Sequence, residues 1–200
     1  MRIFDISPLV TQDSPVYPGD APLRIKRVSE APALVSAFSM SPHLGAHVDA
    51  PAHLHAAGEV ADLSLNRLLG SAQVLALSVA GEITPQALQG KPIVAERLLL
   101  KTGFRLGTSW PEQFPYLSAE SVDYLNQRHV RLIGIDTPSI DAADSEALPS
   151  HRRAVDAGML ILENLDLAAV GEGLYELIAL PLKIRGLEAS PVRAVLVESF

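Results

Sequence analysis

Residues 42–55 read Pro42-His43-Leu44-Gly45-Ala46-His47-Val48-Asp49-Ala50-Pro51-Ala52-His53-Leu54-His55, and they hold four of the chain's six histidines around one aspartate. The backbone geometry that lets these side chains meet decides what kind of fold surrounds them. On an α-helix His43 and His47 share a face, but Asp49 then lies about 200° round the axis from His47. Gly45 and the two flanking prolines also oppose a helix. In an extended chain His43, His47, Asp49 and His53 have the same parity and point to one side. A straight strand spreads them over roughly 33 Å, whereas a metal ion holds its ligands at about 2 Å. The segment therefore reads as extended chain that bends, with Gly45 and Pro51 allowing the bend. A run of surface histidines beside a turn is the plainer alternative; three same-parity imidazoles enclosing a carboxylate favour a site. His55 adds nothing the others lack and reads as a solvated neighbour.

The rest of the chain narrows the chemistry. There are no cysteines, so disulfides and thiolate metal sites are excluded, and any metal must sit on His, Asp and Glu. The net charge of −7 argues against a nucleic-acid partner, which needs clustered Lys and Arg. The longest apolar runs, such as residues 74–79 and 175–182, fall far short of the ~20 residues of a membrane helix. The first eight residues, with Asp5 among them, lack the cationic-then-apolar plan of a signal peptide. A cytoplasmic protein without a membrane or nucleic-acid partner is the default expectation. Two hundred residues fit one domain, 1–200, with a proper core.

Turn residues are spread throughout, which predicts many short elements. Strands are expected at 2–6, 23–28, 74–79, 97–101, 131–135, 159–163, 174–180 and 191–197, the first two half-buried by their alternation. The clearest helix runs from Ser118 to His129, with Ser118 as N-cap, Glu120 in the first turn and Val122 and Leu125 at helical spacing. His129 falls at its end, where it complements the helix dipole and carries no chemistry. Short helices are expected at 63–69 and 84–88. Ser150 is expected to cap another that stops at Gly158. Strands outnumber helices without alternating strictly with them, so a mixed, strand-rich α/β domain is favoured over a doubly wound one.

His43-Leu-Gly-Ala-His47-Val-Asp49-Ala-Pro-Ala-His53 closely resembles the His-x-Gly-Thr-His-x-Asp-Ala-Pro-x-His signature of the cyclase-like metal-dependent hydrolases, and within them the bacterial kynurenine formamidases (arylformamidases). Further blocks resemble the family in order along the chain: Asp5-Ile-Ser-Pro, Tyr17-Pro-Gly-Asp, Gly134-Ile-Asp-Thr-Pro-Ser, Ile161-Leu-Glu-Asn, residues 175–182 and 190–196. The resemblance implies a swivelling β/β/α fold, a homodimer, and two zinc ions per subunit, with manganese as the alternative. It implies that His43, His47 and Asp49 hold one metal, that Asp49 bridges to a second, and that His151 and a bridging Glu163 complete the second. It gives His53 the acid/base role and Tyr17 a place against the substrate ring. The implied reaction is hydrolysis of N-formyl-L-kynurenine to L-kynurenine and formate by a metal-activated hydroxide, in tryptophan degradation. Opening of a cyclic amide such as isatin is the nearest alternative, and a non-catalytic metal-containing binding protein is an alternative of another class. Alone, His151 would be a helix-start residue and Glu163 a solvated strand end. Two positions depart from the family: Ala46 replaces a threonine whose hydroxyl could support a ligand, and Tyr17 replaces a tryptophan.

Overall fold

The computed structural model describes residues 1–198. Nine strands form one mixed sheet in the order β1 (Arg2–Asp5), β13 (Val195–Glu198), β11 (Gly173–Ile178), β5 (Leu69–Ala76), β7 (Arg97–Lys101), β9 (Leu132–Ile135), β10 (Leu160–Glu163), β4 (His47–Asp49) and β12 (Ala189–Pro191). The centre, β5 to β10, is parallel, and both flanks are antiparallel. The sheet curls until its ends approach: Ile6 N–H donates to Ala194 O, and Val192 N–H to Ala46 O. This is the strand-rich α/β domain expected from the sequence.

The curl creates two cores, and side-chain alternation along the central strands fills both. Leu99, Leu132, Leu160 and Leu162 point inward with Val48, Val74, Leu177 and Leu196. Leu98, Leu100, Ile133, Ile135 and Ile161 point outward, where α1 (Pro85–Leu88), α2 (Ala119–Asn126) and α3 (Pro149–Asp156) cover them. Buried on both faces, these strands are continuous apolar runs. Ser118 caps α2 by accepting from Ser121 N–H, and Val122 and Leu125 are buried. A small parallel pair, β6 (Glu82–Ile83) with β8 (Tyr116–Leu117), lies near α1 and α2.

The strand expected at 74–79 runs over 69–76 as β5, and the one expected at 191–197 divides into β12 and β13. Three further expectations need correction. The helix assigned to Ser150 begins at Pro149, because proline suits the first helical position, where no N–H is required. Residues 63–69 give only one 3-10 turn, Leu65–Arg67, before β5 starts at Leu69. Residues 23–28 do form a strand, β2 (Arg24–Ser29), but it is largely exposed rather than half-buried. Among the described residues it pairs only with β3 (Val35–Ser39).

At Gly134 the inner core leaves no room for a side chain. A Cβ there would lie 2.2 Å from Leu99 Cδ2 and 3.0 Å from Leu165 Cδ1. Overpacking of this kind costs about 1–3 kcal/mol. Gly134→Ala should lower the melting temperature, and Leu99→Val in the same chain should recover part of the loss. An unchanged melting curve for Gly134→Ala would mean that Leu99 yields without cost.

Candidate metal centre

The β4–β10 ladder sets His47 opposite Glu163 and Asp49 opposite Ile161. Val48 packs into the inner core, so its neighbours His47 and Asp49 project to the other face, where α3 lies. The site thus sits beyond the carboxyl end of β10, the usual place for a ligand in sheets with parallel strands.

Each histidine is placed by its own local device. Gly45 turns the chain with φ +76°, a region costly for residues with a Cβ, and a Cβ there would meet Val10 Cγ2 at 2.5 Å. His43 precedes this turn and His47 follows it. The Gly45 carbonyl accepts the His47 Nδ1–H at 2.9 Å, which leaves the Nε2 lone pair facing Asp49 Oδ1 (3.6 Å) and Glu163 Oε2 (3.3 Å). Pro51 opens a 3-10 turn, Pro51–Leu54, that folds His53 back over the site. Its ring lies 4.6 Å from that of His43 and 5.6 Å from that of His151, centroid to centroid. His55 ends the turn with φ 60° and points to solvent, as expected. His129, at the end of α2, is likewise exposed.

His151 depends on a residue that the sequence reading missed. Leu148 precedes α3 with φ 46° and provides no side-chain cap. Asp141 caps the helix instead, accepting from Ser150 N–H (2.8 Å) and His151 N–H (2.9 Å), and it also accepts the His151 Nδ1–H at 2.6 Å. Ser150, freed of capping, donates its hydroxyl to Leu117 O. The Nε2 of His151 is thereby aimed at Asp49 Oδ2 (3.4 Å) and Glu163 Oε1 (3.2 Å). Nothing in the residue pattern marks Asp141, because a loop aspartate ten residues before a histidine has no periodic signature.

His43, His47, Asp49, His151 and Glu163 therefore converge, with His53 beside them. Asp49 divides its oxygens: Oδ1 faces His43 Nδ1 (3.3 Å) and His47, and Oδ2 faces His151. Among the described residues His47 Nε2 and both Asp49 oxygens are buried without a hydrogen-bond partner. Each such group costs about 1–3 kcal/mol if left so. Lone pairs aimed at one another call for positive charge between them. Without a metal that charge is protons: burial opposes it, but the facing Glu163 and Asp49 carboxylates raise the His47 pKa to about 9. Burial acts against ionised Glu163 too, yet the His151 charge draws it down to about 2. A divalent cation satisfies the same geometry, and an all-nitrogen-and-oxygen donor set suits zinc or manganese. His53, dominated by burial, has a lowered pKa.

A cavity of roughly 830 Å³ opens over these groups, with Tyr17, Trp110 and Phe114 also lining it. Tyr17 and Trp110 pack edge to face, with centroids 5.5 Å apart. Trp110 was not singled out in the sequence; it lies in an irregular stretch with no motif around it. Ala46, at the family's threonine position, sits in the inner core, where a methyl group fits.

Residues 4–142 match the model of the Cyclase family, and the chain belongs to that family. Its fold is similar to a "potential metal-dependent hydrolase with cyclase activity" (27% identity, TM-score 0.87, 99% of each chain covered). It is also similar to a "predicted metal-dependent hydrolase" from Bacillus stearothermophilus (28% identity, TM-score 0.86, 98% of this chain and 97% of that one). Isatin hydrolase A from Ralstonia solanacearum is similar at 25% identity and a TM-score of 0.81, over 98% and 92% of the two chains.

The hold of Asp141 on His151 can be tested by metal titration. Carboxylates behind a ligating histidine typically contribute about 10–100-fold in metal affinity. Asp141→Asn should weaken metal binding by that order in competition with a chromophoric chelator. Parent affinity in the variant would show that the His151 ring needs no carboxylate behind it.

Proposed function

We propose that this protein is a metal-dependent amide hydrolase that converts N-formyl-L-kynurenine to L-kynurenine and formate. The observation that carries the reading is the convergence of His43, His47, Asp49, His151 and Glu163 beneath an open cavity, with His47 Nε2 and both Asp49 oxygens buried and unpartnered among the described residues. The divided carboxylates favour two ions, taken here as Zn2+ with Mn2+ as the alternative. His43, His47 and Asp49 Oδ1 would hold one, and His151, Asp49 Oδ2 and Glu163 the other. Such ions supply Lewis-acid activation of a water and of an amide carbonyl.

The chain's own groups do the rest. His53 faces the cavity beside the ligand rings, and its lowered pKa keeps it neutral and able to accept a proton from the attacking water. The same nitrogen then returns that proton to the departing aniline nitrogen. Tyr17 and Trp110 offer aromatic surface to an aryl group. A cytoplasmic homodimer accords with this reading. The β2–β3 hairpin stands out with Ile25, Val28, Val35 and Phe38 all at least half exposed. An isolated two-stranded hairpin is marginal in water, and a second copy would cover it.

The similarity to an isatin hydrolase favours a second reading, opening of a cyclic aryl amide in the same centre. A purely structural metal site is opposed by His53, which adds a proton carrier beside the ligands and toward the cavity.

Purified protein should contain bound metal, and chelator should abolish turnover. N-formyl-L-kynurenine and isatin assayed side by side, with added zinc or manganese, separate the two substrates. Faster turnover of isatin would replace the first reading with the second, and no turnover of either by metal-loaded protein would remove both. His53→Ala should keep its metal and lose about 10²–10⁴-fold in rate. Asp49→Ala should lose the metal itself. An Asp49→Ala protein that stays loaded and active would refute its bridging position.

A further inference from the structure

His43 is oriented unlike the other two imidazoles of the centre. His47 and His151 each commit Nδ1–H to a fixed acceptor and present Nε2 inward. His43 presents Nδ1 to Asp49 Oδ1 at 3.3 Å, and its Nε2 points outward. A neutral imidazole carries one proton and one lone pair. For His43 to ligate through Nδ1, the proton must sit on Nε2 and find an acceptor there. The group facing Nε2 is the Glu188 carboxylate, with Oε1 3.5 Å away, at the long edge of hydrogen-bond reach.

The backbone fixes Glu188 in that place. It precedes β12, whose Ala189 pairs with Asp49, and its carbonyl accepts Ala50 N–H at 2.8 Å. The ladder that sets Asp49 thus sets Glu188 one residue further on. The Glu188 side chain is 39% exposed, so a small rotation can close the contact without disturbing the core.

We propose that Glu188 is a positioning residue. It accepts the His43 Nε2–H, holds the tautomer whose Nδ1 lone pair faces Asp49, and so completes the half of the centre built on His43 and His47. Because the His43 ring packs against that of His53, the same contact also steadies the acid/base residue. The inference rests on the metal-centre reading above.

The test is metal binding without substrate. Zinc and cobalt are titrated into chelator-treated parent, Glu188→Ala and Glu188→Gln proteins, against a chromophoric competitor. Cobalt absorption reports the ligand field directly. Glu188→Ala should weaken one binding event by about 10–100-fold and alter the cobalt spectrum. The other event and the metal-free melting temperature should stay at parent values. Glu188→Gln keeps an amide oxygen that can accept the same N–H, and should restore most of the affinity. If Glu188→Ala binds both ions like the parent with an unchanged spectrum, this inference falls and the centre stands. It also falls if the alanine and glutamine variants lose affinity equally. If the parent takes up no metal, the centre falls with it.

Discussion

Asp49 is buried with both carboxylate oxygens lacking a donor among the described residues, each facing a different set of imidazoles. Taking such a group out of water is unfavourable unless opposite charge meets it. Much of the surrounding structure supports that placement. β4 is only three residues long, yet it is held between β10 and β12, which fixes Asp49 against both neighbours. Val48 anchors the strand in the inner core, and Gly45 and Pro51 bend the chain at either end so that His43 and His53 return to the same point.

The curled sheet explains how residues so far apart in sequence meet. The antiparallel β4–β12 ladder brings the segment before β12 beside Ala50, while the parallel centre delivers Glu163 at a strand end. The outer helices then supply His151 at the first turn of α3. Asp141 does two tasks there, capping the helix and gripping the imidazole, so the orientation of the ring is coupled to the integrity of the helix that bears it.

Much of this was legible beforehand for definable reasons. Parity and turn chemistry were enough to read residues 43–53 as bent extended chain. Apolar runs located β7, β9 and β10 closely, because strands buried on both faces must be apolar throughout. Ser118 announced α2 by its capping chemistry. Ser150 misled because serine is favoured as a cap only when no better acceptor arrives from elsewhere, and Asp141 arrives from a loop. Asp141, Glu188 and Trp110 left no trace in spacing or composition, since their roles come from tertiary proximity alone. The exposure of β2 was equally invisible, as alternation says which residues share a face and not whether anything covers it.

The carboxylates around the imidazoles have a consequence for charge. Asp49 and Glu163 lie within the centre, while Asp141 and Glu188 stand behind His151 and His43. Four ionised acids with neutral imidazoles match the charge of two divalent cations, so on the proposed reading the filled cluster is close to electroneutral. It would then exert little long-range pull on an approaching molecule of either sign. Discrimination among substrates would fall to contour and aromatic contact in the cavity. A monovalent ion in either position would leave the interior with excess negative charge, and that would give the cluster a valence filter independent of its size.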